Sequence, residues 1–305
     1  MESTSSMKEV ARIVGTEKRR GRRVVARVKK SSTPHAQLEL RHAILPVPEP
    51  GNGEVLVKLE CTGFCHSVLR CIHGELPLSI NVVGHEGVRE EYVVSPADFV
   101  SLIPENLAPE AVALLLCAGL TMYGALNKLD KYCDKGDWVV IMGAGGGLGH
   151  LGIQVGKEMG YRVIAVDSES KRDICMRSGA EAFVDFPRQP LTDGIGAHAV
   201  IVVVGLKKAC EQSVNFLRPV GTLVCVGLPR PDYHLRVSPL MCVDRGYRIV
   251  GSAVGTGEEM QALLKLAADG KLSTHVRVSG FEQINEVAGL LERFEVEGRA
   301  VLRMP

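Results

Sequence analysis

Apolar and polar residues alternate over Gln37-Leu38-Glu39-Leu40-Arg41 and again over Glu54-Val55-Leu56-Val57-Lys58-Leu59. The Pro- and Gly-rich stretch 46–53 separates them, so the pattern predicts two strands joined by a turn. From Pro109 the spacing becomes helical through Ala111, Leu115 and Ala118. Beyond Asp137 strands and helices alternate, the order that builds a parallel sheet covered on both faces. The strand reading is clearest at 137–142, followed by a helical pattern from about Leu148 to Met159 and a second strand at 161–166. Further strands are expected at 199–204, 221–226 and 248–251. A helix from about Met260, a short strand near 275–278, another helix and a terminal strand at 299–303 complete the chain.

Composition narrows what such a chain can be. Its 305 residues are 46% hydrophobic, enough for a substantial core in one or two domains. A formal net charge of +1 and 5% aromatics give no polyanion-binding surface across the whole protein, so nucleic acid is not an expected partner. The most apolar stretch, 111–126, is short for a bilayer and holds Gly119, Thr121 and Gly124, so no membrane span is expected. Nine scattered cysteines without a secretory segment fit a reducing compartment, and a cytoplasmic location is expected. Charge is uneven: residues 1–30 carry ten Lys/Arg and three Glu. This basic segment, 1–36, is expected to be a solvated extension.

The strand 137–142 runs into Gly143-Ala144-Gly145-Gly146-Gly147-Leu148-Gly149, and Asp167 closes the next strand 18 residues beyond Gly149. Strand, glycine loop, helix, strand and acid in that order make a dinucleotide-binding βαβ unit. Gly145, Gly146, Gly147, Leu148 and Gly149 let backbone N–H groups approach a pyrophosphate at the helix start. Ala144 replaces the first glycine of the usual pattern. Asp167 can accept from both ribose hydroxyls and repels a 2′-phosphate, which favours NAD(H), and Lys171 follows near the adenosine end.

A second constellation lies in the β-rich half: Cys65-His66-Ser67 after Gly63-Phe64, Gly84-His85-Glu86-Gly87, and Cys117-Ala118-Gly119. Two thiols and an imidazole are a donor set that suits a catalytic zinc with one open position. Together with Val47-Pro48-Glu49-Pro50, Gly53-Glu54-Val55-Leu56-Val57 and Gly298-Arg299, these residues resemble the zinc-dependent medium-chain alcohol dehydrogenases of the fungal type, from about residue 37 onward.

The resemblance implies an α/β chain: a GroES-like β-rich catalytic domain over 37–118 and 257–305, and a Rossmann domain over 119–256. It assigns one catalytic Zn²⁺ to Cys65, His85 and Cys117, with Glu86 beside the metal and Ser67 passing on the alcohol proton. It places His66 and Arg299 at the pyrophosphate and Val226, Gly227 and Leu228 along the nicotinamide. The implied reaction interconverts a small-molecule alcohol with an aldehyde or ketone using NAD(H). The segment 247–254 resembles the edge strand through which such domains pair, which implies a homodimer or homotetramer.

Departures from the family pattern leave two other readings open. Val68 stands where the family has an Asp that orients the ligating His, and Arg70 where many members have a relay His. After Val88 the chain passes directly into Arg89-Glu90-Glu91-Tyr92, skipping roughly fifty residues that include the four-cysteine structural-zinc lobe and several strands, so unpaired sheet edges are expected. One reading is a relative that binds nucleotide but is catalytically impaired or repurposed. The other is a zinc-free enone or quinone reductase.

Overall fold

The computed structural model describes residues 7–8, 11–13, 20–28, 38–72, 89–185 and 194–305. The chain divides into two compact units, Met1–Ala113 with Val276–Pro305, and Leu114–His275.

The first unit is β-rich. Strand β2 (Ala11–Ile13) pairs antiparallel with β5 (Glu54–Leu59), which pairs with β8 (Tyr92–Pro96). Strand β3 (Arg20–Val28) pairs along its whole length with β4 (Leu38–Pro46) and briefly with β7 (Arg89–Glu90). Strand β1 (Met7–Lys8) pairs with β9 (Ile103–Pro104). The expectation of a solvated extension over 1–36 is therefore corrected for residues 7–8, 11–13 and 20–28, which are strands of the first unit. Their arginines hid the alternation in the sequence.

Strand β6 (Cys61–Phe64) pairs with the terminal strand β17 (Arg299–Arg303), which runs parallel to β16 (Val276–Gly280). Against this sheet lie α1 (His66–Ile72) and α9 (Ile284–Glu292). Phe64, Val68, Leu69, Ile284, Val287 and Leu291 form one buried cluster there. The closing segment of the chain thus packs beside Cys65 and His66, 200 and more residues earlier in sequence. Helix α2 (Pro109–Leu114) ends the first part of this unit.

The second unit begins with a π-helical turn, Leu115–Gly119, and α3 (Leu120–Asn127). The helical run 109–127 has a mean hydropathy of 1.5 over its most apolar window, and 67% of that window is buried inside the protein. Six parallel strands follow: β10 (Trp138–Met142), β11 (Arg162–Asp167), β12 (Ala182–Asp185), β13 (Ala197–Val202), β14 (Leu217–Cys225) and β15 (Arg248–Gly251). Their order is β12-β11-β10-β13-β14-β15, the doubly wound dinucleotide-binding arrangement with its switch point between β10 and β13. Val139, Val140, Ile141, Val200 and Ile201 are fully buried, as strands covered on both faces require. Helices α4 (Gly149–Glu158), α5 (Arg172–Arg177), α6 (Lys207–Ser213) and α7 (Pro239–Arg245) connect them.

Helix α8 (Gly257–Ala268) belongs to this unit, so the second boundary falls at 275/276 and not at 256/257. The reason is packing. A Cβ on Gly119 would lie 2.9 Å from Leu263, Asn127 donates to Glu259 at 2.8 Å, and Gln154 is doubly hydrogen-bonded to Ser273 at 2.6 and 2.8 Å. The first boundary likewise falls at 113/114 and not at 118/119.

Candidate functional site

The glycine loop sits at the carboxyl ends of β10 and β11, where an open α/β sheet binds its ligand. Each glycine answers a distinct local demand. Gly143 leaves β10 at φ +87°, and a Cβ there would lie 2.3 Å from Val204. A Cβ on Gly149 would lie 2.3–2.5 Å from the backbone of Gly143 and Ala144, so only glycine lets α4 start against the loop. At Gly145 the obstacle is the Lys171 side chain at 2.5 Å, which places Lys171 over the loop. Gly146 differs, since a Cβ there would meet only Gly143 O at 3.4 Å, and its outer side is open. Bare, accessible backbone at the start of a ten-residue helix fits a pyrophosphate. Gly147 and Leu148 complete the turn and are half-buried.

Asp167 ends β11 with its carboxylate already fixed. Oδ2 accepts from Gly145 N at 2.8 Å, and Oδ1 accepts from Ser168 N at 2.8 Å. The acid is thereby oriented at the strand tip beside the loop, as ribose recognition requires. On the other side of the switch point, Val226 N and Gly227 N donate to Val202 O at 3.0 and 2.8 Å. A Cβ on Gly227 would lie 2.3 Å from Val204 O, so this turn too is closed to side chains. Val226 is buried, whereas Leu228 presents an exposed apolar surface suited to a flat ring. The second unit therefore gathers Gly145–Gly149, Asp167, Lys171 and 226–228 along one edge of one sheet.

In the first unit, β6 delivers Cys65 to the start of α1, which carries His66, Ser67 and Arg70. The register that sets Ala300 opposite Phe64 brings Arg299 to the same end of the sheet. A Cβ on Gly63 would lie 3.2 Å from Ala113 O, so the glycine answers the neighbouring backbone; Arg299 Nε, at 3.8 Å, is at ordinary contact distance. Arg299 is buried at 5% exposure, an arginine placement that suits an anionic ligand group. Burial, foremost, together with Arg299 and Arg70, pushes the His66 imidazole below its ordinary pKa, against a raising hydrogen bond to the Leu291 carbonyl. His66 thus lies, with its charged form disfavoured, beside the two cations Arg70 and Arg299 in this unit. Val68 is buried in the apolar cluster with Phe64 and Ile284, so a carboxylate is absent there and hydrocarbon fills its place.

Cys117 lies in the π turn of the second unit, where Leu116 and Cys117 are both exposed between buried neighbours. A π turn widens the helix by one residue, and such turns recur at functional sites. This sets Cys117 apart from the core thiols. Burial pushes Cys61 and Cys175 up to about 12 and Cys133 up to about 11, and raises Cys210 and Cys225. Cys65 and Cys117 are two of the three expected zinc ligands; His85 and Glu86 lie outside the described residues. So does the junction at Val88. A Cys₂His donor set fits a catalytic zinc by its chemistry. Among the described residues no group of three such side chains could hold a metal ion.

Sequence comparison agrees with this geometry. Residues 147–269 match the family described as zinc-binding dehydrogenase. The chain is 33% identical to alcohol dehydrogenase 2 of Emericella nidulans, over 85% of this chain and 92% of that protein. It is 34% identical to an alcohol dehydrogenase of Geobacillus stearothermophilus, over 84% and 93%. These alignments extend over 339 and 321 residues, longer than the 305 of this chain, so both relatives carry residues that it lacks. Among solved structures, the alcohol dehydrogenase of Aeropyrum pernix superposes with a TM-score of 0.78 at 26% identity, covering 92% of this chain and 99% of that one. The acetophenone reductase of Geotrichum candidum, solved with NAD, shares the fold with a TM-score of 0.79 at 22% identity, covering 95% and 98%.

Proposed function

Because this chain belongs to the zinc-binding, medium-chain alcohol dehydrogenase family, we propose that it interconverts an alcohol with an aldehyde or ketone, exchanging hydride with NAD(H) and using one zinc ion. The observation that carries the cofactor assignment is the Asp167 carboxylate held by Gly145 N at the edge of the glycine loop. It offers oxygens to ribose hydroxyls and repels a 2′-phosphate, so NAD(H) is preferred.

Cys65, His85 and Cys117 are the residues that would hold zinc, with Glu86 beside it. Bound zinc supplies a Lewis acid for the substrate oxygen, and the bound nicotinamide supplies the hydride acceptor or donor. The chain's own residues do the rest. Arg299, with His66 beside it, would take the pyrophosphate charge; Gly145–Gly149 would present backbone donors; Lys171 would stand at the adenosine end. Val226, Gly227 and Leu228 hold the nicotinamide face, and their apolar surface excludes water. Ser67 would accept the alcohol proton and, with Arg70 where a relay histidine would be, would release it without a histidine relay. Val68 leaves any ligating histidine without the carboxylate that would orient it, which weakens metal affinity by roughly 10–100-fold.

The proposed assembly is a homodimer, or a tetramer built from it, formed through β15. That strand is the edge of the sheet, and on α7, which precedes it in the chain, Leu240 and Val243 are 74% and 83% exposed. The nine scattered cysteines suit a reducing compartment, and we assign the protein to the cytoplasm.

Metal analysis of purified protein, run beside an alcohol panel with NAD and an enone panel with NADPH, tests the proposal. About one zinc per chain with alcohol-dependent NADH formation supports it. Cofactor binding without turnover identifies a repurposed relative, and metal-free, NADPH-dependent enone reduction identifies a reductase.

A further inference from the structure

Phe294 occupies a position that backbone sterics reserve for glycine. Helix α9 ends in a Schellman motif: Glu295 N donates to Leu290 O at 2.9 Å and Phe294 N to Leu291 O at 3.0 Å. Phe294 is the left-handed residue of that motif, at φ +58°. A bulky side chain there is strained. Core burial does not account for it, because Phe294 is 56% exposed. What the ring does touch is His66: the two centroids are 4.6 Å apart and the planes 21° from parallel. The same helix end grips His66 a second time, since the Leu291 carbonyl accepts a hydrogen bond from its imidazole. The other ring nitrogen, Nε2, is buried and has no hydrogen-bond partner among the described residues.

We infer that Phe294 is a positioning residue for dinucleotide binding: its ring forms a shelf that, with the Leu291 carbonyl, fixes the His66 imidazole, assigned above to the pyrophosphate, in one orientation. The inference rests on the NAD(H) reading above. The shelf acts on the ring face and the carbonyl on one nitrogen, so the imidazole keeps a single orientation before the anion arrives. Less freedom is then lost on binding. The strain at Phe294 is the local cost of that preorganisation.

Three variants of the full chain separate the ring from the backbone. F294A keeps the strained φ and loses the ring; F294G relieves the φ and loses the ring; F294Y keeps both. NADH fluorescence titration is expected to show F294A and F294G weakened alike, by about three- to ten-fold, the scale of one aromatic stack, with F294Y binding like wild type. Thermal melting is expected to place F294G above F294A, so stability follows the backbone while affinity follows the ring. The His66 ring protons should lose their ring-current shift in F294A and F294G in the absence of cofactor. Wild-type-like NADH affinity in F294A and F294G, or affinity that follows the melting temperature across the series, would overturn the inference while leaving the NAD(H) reading intact. Failure of the wild-type protein to bind NADH would overturn both.

Discussion

Replacing Gly149 by alanine sets two effects of known sign against each other. Inside α4, alanine is the better helix former by about 1 kcal/mol, so propensity alone predicts stabilisation. The packing predicts the reverse. The new Cβ would lie 2.3 Å from Gly143 O, 2.4 Å from Ala144 Cα and 2.5 Å from Ala144 O, all backbone atoms that no rotamer can move aside. Relief requires the helix start to retreat from the loop by about 1 Å, an overpacking cost of about 3 kcal/mol or somewhat more. The net loss is about 2 kcal/mol, a fall in melting temperature of roughly 4 °C. Because the helix start is the proposed pyrophosphate site, NADH affinity should fall on the order of ten-fold or more. Urea denaturation and NADH titration measure the two quantities. Gly146→Ala is the control, since its Cβ would meet only Gly143 O at 3.4 Å; it should melt like wild type and still bind NADH weakly, because the methyl would stand in the proposed phosphate site. A G149A protein as stable as wild type would refute the close-approach argument.

Two further outcomes follow from other parts of the molecule. His198 accepts from Trp138 N at 3.1 Å through Nδ1, so protonating it breaks a bond between neighbouring strands. Burial, foremost, with Arg218, lowers its pKa below 6.5, against Asp137 and Asp134. A base lowered on folding gives stability that is full above pH 6.5 and is lost as pH falls from there through the folded-state value. Melting temperature should therefore drop across that window, and His198→Gln should flatten the drop; an unchanged slope contradicts the assignment. Val243→Asp, placing a charge on the exposed face of α7, should convert the proposed dimer to monomer in light scattering with little change in melting temperature; an unaltered mass shows that the interface lies elsewhere.

The dinucleotide unit was legible because one short window carries its whole logic: a buried strand must be continuously apolar, the loop must be glycine, and the acid must end the next strand. β10, α4, β11, β15 and β17 fall within a residue or two of the pattern reading. β12 escaped notice, being four residues long and only partly buried. The strands before residue 36 were hidden by their arginines, which read as a charged tail when the partner strand is not in view. Placement of α8 depends on contacts with Gly119 and Asn127 more than a hundred residues away, which no local window contains. The π turn at Cys117 and the left-handed Phe294 are backbone facts, invisible to side-chain periodicity.

The most direct test of the account is isotope transfer. Purified, zinc-replete protein is incubated with NAD and a primary alcohol fully deuterated at its carbinol carbon, with ethanol and benzyl alcohol as the two probes, and the reduced cofactor is analysed by mass spectrometry. The account predicts NADH carrying a single deuterium. Cofactor that binds the protein yet acquires no deuterium from either alcohol would contradict it.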